Sequence, residues 1–449
     1  MIGKTRLLAD LSRLVKRARV DAVSICAHAR SRRVFRFAYE AIHQDLTQET
    51  IDVTVKVMKR RRVGVASANT FEPTGLLRCL RAAEAIAAHS PEQQELPLPV
   101  RPNRFATTAD RIASTAASTP LACVTALKRL FQICAGAGAA LAGSLATGED
   151  ELAVVNSSDA ACYAASTVSG AKLVTMYRKL SGYASGVHRD VDKLDLDGLL
   201  KRSLRQSLHR EDPVTLPLGA YEVILEPEAV AELLTWLGYT AFGAKSVQEH
   251  TSFLTGRMGE RVFGPQITIY DDGREPSTLR MPFDFEGTPK QRVVLIDRGN
   301  ASGIVYDTLY GARFGHPSTG HAMPAGEVDG PLPLHLGMAP GTTSLDEMIR
   351  SCKRGLLIPR FHYVNGLLNP REALMTGLTR EGAFLIERGK LARPVRTLRF
   401  TQSLLPAFRS VLGVSKERRL IAEPSQELGC ALAPTLHLGA WTFTGRSED

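Results

Sequence analysis

The stretch that decides the fold runs from Ser252 to Gly273, SFLTGRMGERVFGPQITIYDDG, and continues as MPFDFEG at 281–287, RVVLIDRG at 292–299 and HPSTG at 316–320. After Gly264 short apolar runs are divided by Gly, Pro and Asp turns, and one helix is expected near 344–354. That punctuation predicts a β-rich lobe. Just upstream, LPLGAYEVILEPEAV at 216–230 opens the same unit. Tyr221, Val223 and Leu225 alternate as a strand. Pro227 and Glu228 then start a helix, where a missing N–H matters little and a carboxylate meets the positive end of the dipole. Val230, Leu233, Leu234, Leu237 and Ala241 form its buried stripe.

Toward the N-terminus the periods change. Leu7, Leu8, Leu11, Leu14 and Val15 lie at helical spacing, and a second helix is expected from Gly75 to Ala88. Between them Val20–Cys26, Val34–Tyr39 and Ile51–Val57 alternate as strands. PEQQELPLPVRP at 91–102 is too rich in proline for regular structure and marks a linker. Beyond it helices are expected at 107–118 and 120–142, strands at 151–156 and 161–178, and a charged helix near 194–209. The predicted class is α+β: N-terminal units of strands plus helices, then a β-rich C-terminal lobe. The boundaries are 1–90, a linker at 91–104, 105–212, and 213–449.

Composition narrows the function. The net charge of +10 is spread through 449 residues, with Lys59-Arg60-Arg61-Arg62 as the tight basic run. Without interleaved aromatics or a helix-turn-helix pattern, that run reads as a solvated hairpin tip, and nucleic acid is not expected as a partner. Seven cysteines without a CxxC pair predict buried, inert thiols and a reducing, cytoplasmic setting. No apolar run is long enough for a membrane span, so no membrane partner is expected. Gly136-Ala137-Gly138 is followed by Leu141, not a third glycine, so a dinucleotide loop is excluded. No GxSxG marks a serine nucleophile.

The order of elements from Ser252 to Gly320 resembles the TldD/PmbA (TldD/TldE) metallopeptidase family. FAYEAIHQ at 37–44, RRVGVASANTFEPTGLLRCLRAAEAIA at 61–87, YEVILEPEAVAELL at 221–234 and APTLHLGAWTFTG at 433–445 extend the likeness over most of the chain. The resemblance implies the three-part fold above. In the family's catalytic TldD-type member a helix carries HExxxH, two zinc-binding imidazoles and a glutamate base. Counting back without a gap from Ser252 and Gly256, those positions fall on Thr235, Trp236 and Thr240. A threonine hydroxyl is a poor zinc ligand, and an indole cannot take up a proton from water. The family's third ligand is a cysteine well upstream of the APTL-type segment; here Cys430 is too close to it and Ser415–Leu428 holds none.

The likeness therefore points to a zinc-free TldE/PmbA-like member, with no catalytic residue and no metal of its own. Zinc is expected in a TldD-like partner; the assembly implied is that heterodimer or a homodimer, with an unfolded peptide as substrate. It also implies that the D-x-E-G element, Asp284 and Glu286, and the loop Ser318, Thr319 and Gly320 lie close to the cleft. Read without the family, carboxylates beside glycine are more often turn formers. His250 reads as a lone surface histidine, and His316 and His321 as weak candidates for a shared metal. A stand-alone hydrolase with a rebuilt site and a non-enzymatic binding protein are the alternatives.

Overall fold

The computed structural model describes residues 1–102, 107–423 and 429–446. The end of the proline-rich linker, the start of the unit placed at 105 and part of Ser415–Leu428 lie outside the described residues. In chain order the first half contains α1 (Lys4–Val15), β1 (Ala22–Ala38), β2 (Ala41–Lys59), β3 (Arg62–Ala68) and α2 (Pro73–His89). Then follow β4 (Thr107–Asp110), α3 (Ala113–Ala116), α4 (Pro120–Gly136), β5 (Ala140–Asn156), β6 (Ala161–Tyr177), β7 (Leu180–His188) and α5 (Leu196–Ser207).

These strands make one seven-stranded sheet, ordered β3-β2-β1-β5-β6-β4, with β7 also on β6. Residues 1–90 and 105–212, set apart on the proline-rich segment, thus share a sheet, because β1 pairs with β5 along its length from Ser24↔Asn156 to Ala38↔Ala142. The two short strands expected at 20–26 and 34–39 are a single strand of 17 residues. The arginines at 30, 32 and 33 that interrupt its apolar alternation are anchored: Arg30 by Asp52, Arg32 by Asp150, Arg33 by Asp45. The helix expected over 107–118 is instead β4 and the one-turn α3. The one expected over 120–142 ends at Gly136, where the chain turns into β5.

Odd-numbered positions of the long strands face helices. At one end Val23, Ile25, Ala27, Val53, Val55, Ala153 and Val155 are covered by Leu7, Leu11 and Leu14 of α1 and Leu76, Leu80 and Ala83 of α2. At the other, Phe35, Phe37, Leu141, Leu145 and Leu173 meet Leu127 and Leu130 of α4 and Leu199 and Leu200 of α5. The close seating of α2 depends on Gly64, where a Cβ would fall 2.0 Å from the Ala83 carbonyl oxygen. The opposite face carries Cys26, Leu152, Val154 and Cys162, packed against Met281, Phe283 and Phe285 of the C-terminal lobe.

That lobe contains β8 (Gly219–Leu225), α6 (Pro227–Thr240), α7 (Ala244–Gln248), β9 (Ile269–Asp271), β10 (Val293–Asp297), β11 (Asn300–Ala301), α8 (Thr308–Phe314) and β12 (His335–Met338). It continues with α9 (Leu345–Ser351), β13 (Arg354–Ile358), β14 (Arg360–Asn369), β15 (Leu374–Arg380), β16 (Phe384–Glu387) and β17 (Lys390–Pro394). Last come β18 (Leu398–Ser403), α10 (Leu404–Arg409), β19 (Val411–Ile421) and β20 (Cys430–Arg446). One thirteen-stranded sheet results, with β20 at its centre beside β8, β12, β18 and β19. The α6 stripe of Val230, Leu233, Leu234, Leu237 and Ala241 is fully buried in its main core. The fold is α+β, as the element pattern predicts, and no described helix is long and apolar enough to cross a membrane. All seven cysteines are buried and unpaired.

Candidate functional site

Helix α6 turns one face to the main core and another to the boundary between the lobes. Thr235, Trp236 and Thr240 sit on this second side or at its edge. The Thr235 hydroxyl donates to the Ala231 carbonyl at 2.9 Å and the Thr240 hydroxyl to the Trp236 carbonyl at 2.7 Å. Both are satisfied by their own helix. The Trp236 ring lies over Gly366 of β14 and meets Tyr239 edge-on at 6.1 Å. None of the three offers a cation a donor that is both suitable and available, so the HExxxH positions do not fit zinc.

What surrounds α6 is charged and ion-paired. From the N-terminal sheet come Lys172, which pairs with Glu423, and Tyr183, whose ring lies 4.1 Å under the Arg360 guanidinium. Arg360 is also held by Glu381 at 2.6 Å. Arg419 on β19 binds Glu228 at 2.7 Å and approaches Glu226 at 3.7 Å. Burial raises the Glu232 carboxyl above its ordinary value, against the pull of Trp236, Arg360 and Lys172. Burial and Arg360 together lower Lys172. The result is an ion-paired wall.

The second group of predicted residues is brought together on the other side of the lobe. Asp284 is fully buried and accepts three backbone N–H bonds, from Glu286 and Thr288 at 3.0 and 2.9 Å and from Ala322 at 2.9 Å. Burial and the neighbouring Glu286 push its carboxyl up to about 7. Glu286 takes the Thr308 hydroxyl at 2.6 Å and Lys56 of β2 at 3.2 Å, tying this turn to the N-terminal sheet. Both carboxylates are therefore bound up in the turn and its brace. In the Ser318-Thr319-Gly320 loop, the Ser318 hydroxyl donates to the Tyr306 carbonyl and the Thr319 hydroxyl accepts the Tyr306 N–H. Gly320 has φ +77°.

His316 and His321 are not brought together. His316 is exposed and stacks on Tyr306 at 5.3 Å. His321 is buried, with Nδ1 2.9 Å from the Thr319 hydroxyl and Nε2 2.8 Å from Asp271. Ionised Asp271 accepts from Nε2–H, and the Thr319 hydroxyl is placed to donate either to Nδ1 or to the Tyr306 carbonyl 3.1 Å away. His250 is exposed at a left-handed turn. The basic run forms the β2–β3 turn, where Arg61 donates to the Gln93 and Gln94 carbonyls and Arg62 to Ala88.

Sequence reasoning missed the buried group around Asp271. Lys290, 1% exposed, places Nζ 3.8 Å from Asp271 without a hydrogen bond, and the Asp271 carboxylate also accepts the His335 N–H at 2.6 Å. Burial alone would raise Asp271, but Lys290 and His321 hold it well below the usual carboxylate range. Burial and Lys290 push His335 down to about 4. His335 also lines a cavity of about 70 Å³ between the lobes, with His28, Arg32, Asp150, Arg189 and Arg280. The DDG triplet was the available signal, but it pointed to a turn and not to partners 19 to 64 residues away.

Residues 218–445 match the model of the PmbA/TldA metallopeptidase C-terminal domain. Over 200 residues the chain is 32% identical to a Haemophilus influenzae metalloprotease TldD homolog, covering 44% of this chain and 41% of that protein. Over 235 residues it is 23% identical to a Methanothermobacter thermautotrophicus metalloprotease, covering 51% and 50%. The chain thus spans half or less of the length of these curated relatives. In fold it is similar to TldE from Thermococcus kodakarensis, with TM-score 0.86, 20% identity, and coverage of 97% of this chain and 100% of that one. A Thermotoga maritima structure matches with TM-score 0.83 and 18% identity over 98% of this chain and all of its own. The matched model covers the whole lobe that carries α6, the DFEG turn and the STG loop, and the chain belongs to the TldD/PmbA metallopeptidase family.

Proposed function

We propose that this chain is a TldE/PmbA-like subunit without a catalytic zinc that acts in the cytoplasm with a TldD-like zinc subunit on unstructured peptides. The observation that carries this reading is the state of α6. The two threonine hydroxyls at ligand positions are bound to their own backbone, and the base position holds an indole. Lys172 and Arg360 flank the same helix, each held by a carboxylate, Glu423 and Glu381. In this reading the partner's zinc polarises the scissile carbonyl and supplies hydroxide. This chain contributes the interface and a wall of the chamber.

The substrate class follows from strand edges. Strand β14 pairs on one side with β15, and its register slips between His362 and Asn365 and again before Asn369. Beside Trp236 it leaves Tyr363, Leu367 and Leu368 exposed. An extended peptide can add to such an edge through backbone hydrogen bonds, which do not read sequence.

The test is peptide cleavage by the purified chain, alone and after mixing with a TldD-like subunit bearing HExxxH. An unfolded peptide should survive the chain alone and be cut by the mixture. Thr235→Ala should leave that activity intact. Chelator-sensitive cleavage by this chain alone would overturn the proposal.

A further inference from the structure

On β8, alternate side chains go to opposite faces of the sheet. Val223 and Leu225 join the main core with α6, whereas Ile224 faces a small separate cluster built from Met348 and Cys352 at α9, with Leu357, Phe384 and Ile386. Glu222 shares the face of Ile224, and His437 is the β20 residue paired with Ile224. Cys352 closes α9 and sits against Gly355, where a Cβ would lie 2.6 Å from its sulfur.

Three different donors converge there. His437 Nε2 lies 2.6 Å from Glu222 Oε1, the Cys352 thiol is hydrogen-bonded to the same carboxylate, and all three donor atoms lie within 4.8 Å of one another. Cys352 is 0% and His437 3% exposed, while the Glu222 side chain is 25% exposed and gives the cluster an opening to solvent. Among the described residues no lysine or arginine pairs with Glu222, whose ion-pair partner is His437. The carboxylate therefore sits largely buried without a fixed positive charge beside it.

We propose that Glu222, Cys352 and His437 bind one divalent cation of the zinc class, with the fourth position left to water. A thiolate, a carboxylate and a neutral imidazole around a dication make an uncharged complex, the form that burial tolerates best. Binding exchanges the two hydrogen bonds to Glu222 for metal–ligand bonds: the Cys352 thiol proton goes to solvent past Glu222, and the His437 proton shifts from Nε2 to Nδ1, which frees the Nε2 lone pair for the cation. Bonds of about 2.0–2.3 Å set tetrahedral ligand atoms roughly 3.3–3.8 Å apart. Small rotations of the three side chains bring donor atoms that now lie within 4.8 Å of one another to that spacing. The soft sulfur and imidazole select zinc, or cobalt as its stand-in, over magnesium and calcium. The site lies on the face of the sheet opposite α6, so the ion fastens α9 to β8 and β20 and takes no part at the HExxxH positions.

The test uses the full chain stripped with chelator and then titrated with zinc alone. One zinc per chain should bind and raise the melting temperature, and cobalt should give a thiolate-to-cobalt charge-transfer band. Cys352→Ser should abolish that band and weaken zinc by a hundredfold or more, beyond the ten- to hundredfold typical of an outer-shell residue. Glu222→Gln, a change of equal size at a partly exposed position, should weaken zinc at least about tenfold. Thr235→Ala should bind as the parent does. Absence of stoichiometric zinc, or uptake unchanged by both Cys352→Ser and Glu222→Gln, would overturn the site. Neither result bears on whether the chain cleaves peptide, so failure here is separable from failure of the subunit proposal.

Discussion

Arg419 of β19 and Glu228 in the first turn of α6 stand 191 positions apart in the chain and meet at 2.7 Å, with the Glu228 side chain 8% exposed. Removing the cation alone strands a buried carboxylate, and burial already raises the neighbouring Glu226. Arg419→Leu should therefore lower stability by about 3 kcal/mol. The double variant Arg419→Leu, Glu228→Leu should recover most of that loss. Urea midpoints of the two proteins, measured at one pH, give the answer.

His335 and Asp271 each make the C-terminal lobe sensitive to acid, against the opposite contribution of Asp284, whose carboxyl, raised to about 7, takes up a proton more readily in the folded state. His335, held at about 4 by burial and Lys290, folds as the neutral imidazole. A base lowered in the native state gives stability that is full above its unfolded value near 6.5 and is lost as pH falls toward 4. The amount is roughly 3 kcal/mol. Asp271, depressed by Lys290 and His321, adds a loss that begins only as pH drops below about 4. The melting temperature of the parent relative to His335→Gln should fall as pH drops from about 6.5 to 4 and then level off, because Asp271 and Asp284 act alike in both proteins. An unchanged profile would show that His335 is not the titrating group.

The loop at Ser318–Gly320 should not tolerate a side chain at its last position. Gly320 has φ +77°, and a Cβ there would fall 2.3 Å from the Pro289 carbonyl oxygen, a backbone atom that cannot swing away. Gly320→Ala should destabilise by about 1–3 kcal/mol and loosen Gln291, whose N–H bonds the Thr319 carbonyl at 3.0 Å. Hydrogen exchange at Gln291 is the sharper readout.

Gly366 gives an optical test of the wall beside α6. An added methyl would lie 2.7 Å from the Trp236 ring, so Gly366→Ala must tilt the indole outward. The chain has two tryptophans, and Trp441 is wholly buried. Emission should shift to the red in Gly366→Ala. With Trp236→Phe as the background the shift should vanish.

Local readings from the sequence were accurate where one element decides the outcome. The apolar stripe of α6, the Pro227 start, the turn-forming carboxylates at Asp284 and the exposed tip at Lys59–Arg62 all depend on neighbours a few positions away. Longer pairings were out of reach. β1 runs unbroken through Arg30, Arg32 and Arg33 because Asp52, Asp150 and Asp45 lie on flanking strands. Glu222, Cys352 and His437 have no spacing that a motif could record. Their meeting depends on β20 lying next to β8 and on α9 folding back over both.

The register from Ser24↔Asn156 to Ala38↔Ala142 has a practical consequence for anyone dissecting this chain. A fragment cut within the proline-rich segment would expose the β5-facing side of β1 from Ser24 to Ala38, about 50 Å of edge at 3.3 Å per residue. Open borders of that length recruit other strands, so such a truncation is better suited to making fibrils than to yielding a soluble domain.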